Sequence, residues 1–534
     1  MDRWRKPSYE PVLKKGVTSL SEKHSLFWGD LHNHNAVGYA KGSLERSIDI
    51  ARKHLDFFAF TGHAHWHDMP LMPGERHLHW VRGFKAHREH WPKTRKLIRE
   101  ANDERFTAFL GYEWHSSIFG DYCLIFPEDQ AELYLPDHVE MLFDFARKTG
   151  ALAIPHHVAY KTGWRGINWN YFSPVITPVV EIFSEHGCTE TDRAPYPMIL
   201  HSNGGRQTSN TIDYQLGTGK RFGFLGSTDD HFGYPGAWGE GITGVWADGL
   251  SRKAIFEAIR SRRVYAVTGD RIRLEFTLNG SPMGAELPPV PKREIKVAIE
   301  GEEPVKMIEL IKNGRVIRRY FPEDNCLNHD RFPERAKCRI QYGWGPWATL
   351  NLERICEWEM EITLNRGFFH GVNGCFQSGP FSEKLRDKLE LKNEQTVKLS
   401  SFTSRKDAYL EDPTKSIVLD MEAPADAVLA VRLLKPSEKL VSTKLKSLLK
   451  DNVVEFTGVF TSESFIIGRI CHPQEFTAVV EWEDEGETRA QAGADFYYIR
   501  VTQHNGQMAW SSPIWVETAA SVAGEGIGKD RRPG

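Results

Sequence analysis

Histidines and carboxylates recur in the first half of this 534-residue chain at spacings that can bind divalent metal ions. Eighteen of the 22 histidines lie between His24 and His231. His32 and His34 follow a short apolar run, and residues two apart on a strand face the same side, so both imidazoles can reach one ion. Neutral imidazole together with carboxylate suits Zn²⁺, Mn²⁺ or Fe²⁺. The same spacing also occurs on solvated strands, so a metal site needs further ligands.

Such ligands follow five later apolar segments, each of which we predict to be a strand. They are His63 after 56–61, Glu113 in 106–114, His156 and His157 after 151–154, His186 after 178–183, and Asp229 with His231 after 221–226. In a parallel barrel, functional groups collect at the carboxyl ends of the strands, because the loops there surround one crevice. The series therefore predicts a site for more than one metal ion.

Helices are predicted between these strands, and together they make the first half an alternating α/β region. They are expected over about 44–55, 75–102, 137–149 and 251–262. Ser43 is a predicted N-cap, Gly150 a predicted C-cap, and a strand at 264–267 closes the region. The histidines of the second helix are expected on its solvated surface, namely His77, His79, His87 and His90.

The ordered set of motifs resembles the PHP superfamily, named for polymerase and histidinol phosphatase. The motifs are Asp30-Leu31-His32-Asn33-His34, Thr61-Gly62-His63, Gly111-Tyr112-Glu113, His156-His157 and Ser227-Thr228-Asp229-Asp230-His231. The segment 497–517 resembles the C-terminal extension of a large branch that carries a β domain. The resemblance implies an α/β fold with a distorted seven-stranded (β/α) TIM-like barrel over 25–270, two or three divalent metal ions (Zn, Mn or Fe), and hydrolysis of phosphoesters.

The resemblance also implies a ligand role for each matching residue. The first ion would be held by His32, His34, Glu113 and Asp229, the second by Glu113 and His156 (or His157), and the third by His63 and His231. Glu113 would bridge two ions, and water between them would lose a proton near neutral pH and attack phosphorus or a carbonyl carbon. The candidate catalytic residues are Glu113, His186 and Arg165.

Three positions depart from the pattern of the superfamily. Gly62 stands where Asp is common, Tyr122 where a histidine of the second ion is often found, and Ala40 where a further histidine is expected. Two ions rather than three are therefore possible. Candidate compensating ligands are His115, His65 and His67.

Basic residues near the predicted site could position an anionic substrate. Arg165 and Arg206 are candidates beside His186, although a surface position is the simpler interpretation for either arginine. Glu181, inside an apolar strand, is predicted to orient a ligand rather than to act as a base. No Gly-x-x-x-x-Gly-Lys-[Ser/Thr] or Gly-x-Ser-x-Gly motif is present.

Three functions are compatible with these residues. The leading interpretation is a metal-dependent hydrolase, specifically a phosphoesterase in which a metal-bridging hydroxide attacks a small anionic substrate. The first alternative is a metal-dependent hydrolase of an ester, amide or glycan-derived substrate. The second is a binding protein on a barrel that has lost its catalytic ions, as suggested by Gly62, Tyr122 and Ala40.

Composition excludes other classes of protein. A formal net charge of −3 and 26% charged residues provide no global field for nucleic acid or an anionic membrane. The seven cysteines are scattered without a Cys-x-x-Cys motif, which indicates reduced thiols. The start of the chain is basic and polar and no apolar run is long enough to span a membrane, so a cytoplasmic location is expected.

The second half has the period-two alternation of an antiparallel β-sandwich-like domain. Asn279-Gly280 and Asn313-Gly314 are predicted hairpin turns, and 435–450 is compatible with a helix. We predict an N-terminal arm at 1–24, the barrel at 25–270, a β domain at 271–518 with an insertion at about 320–480, and a disordered tail at 519–534. The β domain is a candidate contact for a homo-oligomer.

Overall fold

The computed structural model describes residues 23–200, 202–325, 331–346, 350, 352–405, 412–486 and 493–518. Most of the predicted arm and the whole predicted tail therefore lie outside the described residues. The chain divides into two compact units, the larger within Thr18–Glu300, Lys306–Phe321 and Ala478–Gly534, and the smaller within Gly301–Val305 and Pro322–Thr477. The predicted domain limits stay predictions.

The larger unit is a mixed α/β structure. Its first strands are Ser25–Asp30 (β1), Phe57–Phe60 (β2), His63–Trp66 (β3), Thr107–His115 (β4), Tyr122–Ile125 (β5), Leu152–Pro155 (β6), Val179–Ser184 (β7), Gly187–Cys188 (β8), Gly223–Gly226 (β9), Ile242–Ala247 (β10) and Val264–Val267 (β11). The helices between them are Leu44–His54 (α1), His77–Glu100 (α2), Val139–Thr149 (α3), Ile212–Gly217 (α4) and Arg252–Arg260 (α5).

Both parallel and antiparallel ladders build these sheets. The main sheet runs in the order β11, β10, β1, β2, β4, β5, β6, with β3 beside β4, and a second sheet has the order β8, β7, β9. β2 is parallel to β1 and β4, and β9 is parallel to β7, whereas β5 and β10 are antiparallel to their neighbours. Among the described strands no ladder joins β6 to β7 or β9 to β11. A closed (β/α) barrel is therefore not shown.

Local sequence explains where the helices begin and end. The Ser43 hydroxyl accepts a hydrogen bond from the Arg46 amide at 3.2 Å, which confirms the predicted cap of α1. Gly150 ends α3 at φ 72°, a conformation that glycine adopts without strain. Every residue of β2, β4, β5 and β6 is buried, as expected for strands covered on both faces.

Later segments of the chain extend the larger unit. The strand Met508–Ser511 pairs with β11, so the C-terminal strands continue the main sheet. Asn279 (φ 48°) with Gly280 and Asn313 (φ 50°) with Gly314 form the predicted hairpin turns. The remaining strands are Arg273–Leu278, Ser281–Pro282, Glu286–Leu287, Lys292–Glu300, Val305–Lys312, Arg315–Tyr320, Thr477–Glu485, Ala494–Gln503 and Ile514–Glu517.

The smaller unit consists of two five-stranded antiparallel sheets. The first contains Phe368–Cys375, Lys415–Glu422, Arg335–Trp344, Ser464–Cys471 and Val453–Phe456, and the second Lys388–Asn393, Thr396–Ser404, Ile355–Leu364, Val428–Lys435 and Lys439–Lys444. Tyr342 of the first sheet and Trp358 of the second pack with ring centroids 5.3 Å apart. The pairing of inward-facing aromatic residues is that of a β-sandwich.

Two local predictions are wrong. Lys435–Lys450 is not helical throughout, because Lys439–Lys444 is an edge strand and only Leu445–Leu449 forms a 3₁₀ turn. His87 is fully buried in α2, its ring stacked on Phe60 at 5.8 Å, and burial lowers its pKa to about 3. Both errors arise because packing partners distant in sequence decide which face of a segment is covered.

None of the helices within the described ranges combines the length and apolarity that a membrane-spanning helix requires.

Candidate metal centre

Six strand ends bring histidines and carboxylates into one cluster, in which every member except the partly exposed His231 is buried. The contributing strands are β1, β2, β4, β6, β7 and β9, and the residues that meet there are His32, His34, His63, Glu113, His156, His186, Asp229 and His231. Several sets of three residues each have potential ligand atoms within 4.8 Å of one another, and some residues belong to more than one set. Two of these sets are His32–His34–Asp229 and His34–His63–His231. The described residues are therefore compatible with metal binding.

The tightest convergence involves His32, His34 and Asp229. The His32 and His34 Nε2 atoms are 3.2 Å apart, and they lie 3.2 and 2.8 Å from the Asp229 Oδ1 atom, respectively. Ligands of a tetrahedral ion with bonds of about 2.0–2.1 Å are about 3.3 Å apart. These three atoms have the spacing of neighbouring ligands around one ion.

Glu113 presents each of its oxygens to two imidazoles. Its Oε2 atom lies 3.3 Å from His63 Nε2 and 3.6 Å from His34 Nε2. Its Oε1 atom lies 3.1 Å from His156 Nε2 and 3.2 Å from His115 Nδ1. A carboxylate in this position can bridge two ions.

Hydrogen bonds join the loop that follows β1 to the loop that follows β9. The Asp229 amide donates to the His32 carbonyl at 2.7 Å, and the His34 amide donates to the Asp230 carbonyl at 2.9 Å. The buried Asp30 carboxylate accepts from the amide and hydroxyl of Thr228 at 3.2 and 2.7 Å. Because these bonds fix both loops, His32, His34 and Asp229 are positioned before any ion binds.

Glu181 contacts the far side of the His32 ring, and His186 contacts Asp229. Glu181 Oε2 is 3.0 Å from His32 Nδ1, which orients the ring so that Nε2 faces Asp229. Burial raises the pKa of Glu181 to about 7. His186 Nε2 is 3.2 Å from Asp229 Oδ2, and its Nδ1 is 3.0 Å from the Tyr160 hydroxyl. Tyr160 is a site residue that no sequence pattern indicated.

A buried group of Asp121, His115 and Arg165 flanks Glu113. The Arg165 Nε atom donates to Asp121 Oδ2 at 2.6 Å, and His115 Nδ1 lies 3.1 Å from the same oxygen. The Arg165 guanidinium rests 5.1 Å from the centre of the Trp66 ring. Arg165 is therefore held inside the site by a carboxylate that sequence reasoning did not select.

The structure separates the two histidines that follow β6. His156 lies beside Glu113, whereas His157 Nε2 is 3.4 Å from Asp121 Oδ2 and its ring packs 4.7 Å from that of His186. Cys123 faces the site, because β5 pairs it with Glu113 and its Sγ atom groups with His32 and His156. Tyr122 faces away and packs on Phe143.

The other two departures also have a structural explanation. A Cβ atom on Gly62 would lie 2.5 Å from the Val37 carbonyl oxygen, so the backbone excludes a side chain there. Tyr39, next to Ala40, packs on His63 with ring centroids 4.2 Å apart, and its hydroxyl lies 3.3 Å from His231 Nε2. An aromatic residue thus occupies the edge at which a further histidine was expected.

Three of the non-glycine residues with positive φ belong to this site. They are His157 (35°), Arg165 (70°) and Asp229 (57°). Such conformations cost about 1–3 kcal/mol each and persist where surrounding contacts over-determine them. Their occurrence together is typical of functional sites.

The pKa values of the cluster shift in both directions. Burial raises the pKa of Glu113 well above its usual value, and Asp229 outweighs burial to raise the pKa of His32 well above its usual value, so a metal ion would have to displace protons from these two residues. Burial and neighbouring histidines lower the pKa values of His34, His63 and His156. Burial opposes ionisation of Asp229, but His32 and His34 outweigh it and hold the Asp229 pKa well below its usual value. Neutral imidazole and carboxylate are the protonation states that coordinate metal ions.

Unpartnered polar atoms test whether a metal ion fits. Among the described residues, Glu113 Oε2, His115 Nε2 and both ring nitrogens of His156 are buried without a hydrogen-bond partner. Buried polar atoms are nearly always satisfied, so four orphans in one cluster need an explanation. An ion would be a direct partner for Glu113 and would compensate for burying the rings. The residues present fit divalent metal ions.

Two groups of candidates lie elsewhere. Arg206 donates to the carbonyls of Cys188 and Asp192 at 2.8 and 3.1 Å, so it braces a loop. β3 pairs His65 with Trp114 and Trp66 with His115, after a bulge that follows His63. The bulge changes the alternation, so that His65 leaves the face of His63.

Comparisons with known proteins give limited likenesses. A family model described as a protein of unknown function, DUF3604, matches residues 237–283. An uncharacterized protein of Chlamydia pneumoniae is 31% identical over 196 residues, which cover 34% of this chain and 31% of that protein. An uncharacterized protein of Chlamydia trachomatis is 25% identical over 347 residues, which cover 57% and 50%, respectively. The chain thus spans half or less of the length of these relatives.

One solved structure resembles most of the chain weakly. It is a two-domain protein of Bacteroides vulgatus containing a predicted PHP-like metal-dependent phosphoesterase, with 12% identity and a TM-score of 0.33 over 79% of this chain and 96% of that one. At this level of similarity, the function of the present chain has to be inferred from its own site.

Proposed function

We propose that the chain is a metal-dependent hydrolase, and specifically a phosphoesterase acting on a small anionic substrate. The observation that carries this proposal is the placement of Glu113, each of whose oxygens faces two imidazoles, beside the convergent His32, His34 and Asp229. Carboxylate and imidazole ligands that can hold adjacent ions are typical of enzymes that hydrolyse phosphoesters.

The first two ions would share Glu113, and the third would have separate ligands. We assign His32, His34, Glu113 and Asp229 to a first ion, Glu113 and His156 to a second, and His63 and His231 to a third. His115, 3.2 Å from Glu113, is a further candidate for the ion that His156 binds. Zn²⁺, Mn²⁺ and Fe²⁺ all suit this donor set.

When bound, such ions acidify a coordinated water and neutralise charge that develops on oxygen. The residues of the chain supply the rest of the chemistry. Glu181 keeps the His32 ring in place through Nδ1, and Asp30 keeps the two ligand loops together. The buried position of Glu113 excludes bulk water, which strengthens its interaction with any cation.

Arg165 and His186 are the proposed partners of the substrate. Arg165 introduces a positive charge 3.2 Å from the His115 ring, although Asp121 neutralises part of it. His186 Nε2 lies 3.2 Å from Asp229 Oδ2, whereas His32 and His34 approach the other oxygen of that carboxylate. We propose that they contact the anionic group from two sides.

The proposal also covers the barrel, the size of the substrate and the oligomer contact. We propose that β1, β2, β4, β6, β7 and β9 form part of the wall of a distorted (β/α) barrel, because their carboxyl ends surround one site. We further propose that a small molecule is the substrate, since the ligand cluster is buried, and that any oligomer uses the β domain.

A substrate panel tests the function. Phosphomonoesters, phosphodiesters and a carboxylate ester would be assayed with Mn²⁺ and Zn²⁺ on the full chain, on His32→Ala/His34→Ala, and on the control His90→Ala/His504→Ala, whose two histidines are exposed. We expect phosphoesterase activity that the first variant loses by at least about a hundredfold and that the control keeps. Activity unaffected by His32→Ala/His34→Ala contradicts the assignment, and turnover of the carboxylate ester alone favours the alternative hydrolase.

A further inference from the structure

We propose that His65, His67 and Asp137 form a separate binding site for one transition-metal ion such as Zn²⁺, at the surface of the larger unit. This site is independent of the proposed phosphoesterase activity. Two imidazoles and one carboxylate, with a position left for water, are a common donor set for Zn²⁺ and also suit Cu²⁺ or Ni²⁺. Mg²⁺ and Ca²⁺ prefer oxygen ligands and would bind weakly.

The three side chains already have the required spacing. One potential ligand atom from each lies within 4.8 Å of the others. His65 Nε2 is 3.2 Å from Asp137 Oδ1, close to the separation of about 3.3 Å between ligands of a tetrahedral zinc ion. The His65 and His67 rings are nearly parallel, at 28° with centroids 6.1 Å apart, so small rotations bring their nitrogens to one ion.

Strand geometry places this cluster on a different face from Glu113. β3 pairs His63 with Glu113, and after the bulge it pairs His65 with Trp114. The His67 ring stacks on Trp114 at 5.7 Å, so it shares the side of β4 opposite to Glu113. A histidine at 65 or 67 therefore cannot replace a ligand of the proposed centre without reversing that strand.

An unsatisfied atom is the second, independent observation. His67 Nδ1 is buried without a hydrogen-bond partner in the described residues. The other two side chains open to solvent, because His65 is 20% and Asp137 is 79% exposed. An ion could therefore enter from water and complete its coordination with a water molecule.

A bound ion would join two distant segments of the chain. His65 belongs to β3, whereas Asp137 stands 72 positions later, just before α3. The Trp114 indole donates to the Pro136 carbonyl at 2.7 Å and already anchors this second segment. Because an ion would bind only the folded arrangement, Zn²⁺ should raise the melting temperature through the cluster.

Zinc binding to the full chain tests the site. Bound Zn²⁺ would be counted by elemental analysis after desalting, for the unmodified chain, His65→Ala/His67→Ala, His32→Ala/His34→Ala and the control His90→Ala/His504→Ala. We expect His65→Ala/His67→Ala to bind one ion fewer per chain than the control, and His32→Ala/His34→Ala to retain that ion. An unchanged zinc count in His65→Ala/His67→Ala overturns the proposal.

Asp137→Asn is a second test in which a folding defect is not expected, since this exposed side chain can be changed without repacking the core. We expect it to weaken zinc binding at this site at least about tenfold and to reduce the zinc-dependent rise in melting temperature. Equal zinc affinity in Asp137→Asn and the unmodified chain also overturns the site. Loss of phosphoesterase activity in His32→Ala/His34→Ala is scored separately and leaves this result unaffected.

Discussion

Replacing Arg165 by methionine should destabilise the larger unit, because it would remove the cation that compensates the buried Asp121 charge and leave that carboxylate with His115 and His157 as neighbours. Asp121 is fully buried, and two Arg165 nitrogens lie 2.6 and 2.5 Å from its Oδ2 atom. Burial opposes ionisation of Asp121, but Arg165 overcomes it and holds the Asp121 pKa well below its usual value. Removing one partner of such a pair costs about 3–5 kcal/mol, whereas exposed pairs contribute about 0–1 kcal/mol. We therefore expect Arg165→Met to lower the free energy of unfolding by about 3–5 kcal/mol.

The companion variant Arg165→Met/Asp121→Asn separates charge from packing. Because it removes both charges, it should recover all but about 1–2 kcal/mol of the loss. Urea unfolding would be followed for both variants with saturating Mn²⁺ and again with a chelator, so that a change in metal binding is not mistaken for a change in the fold. If Arg165→Met unfolds within 1 kcal/mol of the unmodified chain, or if the double variant is no more stable than the single one, the buried pair does not have this role.

Three further predictions concern other parts of the larger unit. Gly62→Ala should cost roughly 1–3 kcal/mol of stability by urea unfolding, because its Cβ would lie 2.5 Å from a backbone oxygen; an unchanged midpoint refutes this. Glu181→Gln should weaken binding of the first ion by about tenfold in chelator competition, since the charge that orients His32 is lost; equal affinity refutes this. Burial raises the pKa of Asp213 to about 6, so its stabilising contribution is complete below about pH 4 and is lost as the pH rises past 6. Asp213→Asn should therefore stabilise the chain at pH 8 by about 2 kcal/mol relative to pH 4, and a parallel pH dependence of the two proteins refutes this.

Much of the local structure of the larger unit could be predicted because its signals lie within a few residues. Ser43 begins α1 through a bond to an amide three residues later, and Gly150 ends α3 with a left-handed backbone. The Asn-Gly pairs turn the two predicted hairpins. Each of these depends on chemistry confined to one turn, so no knowledge of the tertiary fold was needed.

The residues around the candidate centre were predictable to different degrees. His32, His34, Glu113 and Asp229 stand at strand ends, so their convergence followed from topology. Asp121 and Tyr160 carry no comparable signal, because their contacts with Arg165 and His186 join segments 44 and 26 positions apart. Such contacts become evident only when the loops are placed in three dimensions.

Strand Lys439–Lys444 shows why the smaller unit was harder to interpret. Its lysines and serine lie in a pattern compatible with a polar helix, and no residue within it forbids that conformation. The strand forms because Val428–Lys435 offers a free edge, against which residues 439 to 444 pair in register. A sheet edge supplied by a distant part of the chain thus overrides a weak local preference.

The three departures from the PHP pattern lie away from His32, His34 and Asp229, and this bears on the number of ions. Gly62 and Ala40 adjoin His63 and Tyr39, respectively, and Tyr122 packs on Phe143 outside the site. Toward His32, His34 and Asp229 every expected side chain is present, and hydrogen bonds fix the loops that carry them. Toward the Oε1 atom of Glu113, by contrast, His156 is accompanied by His115, and the neighbouring histidine His157 faces Asp121 instead. The affinity of the first ion should therefore be the least sensitive to these departures. The second ion would depend on whether His115, whose Nδ1 atom lies 3.2 Å from Glu113 and 3.1 Å from Asp121, gives up its contact with Asp121.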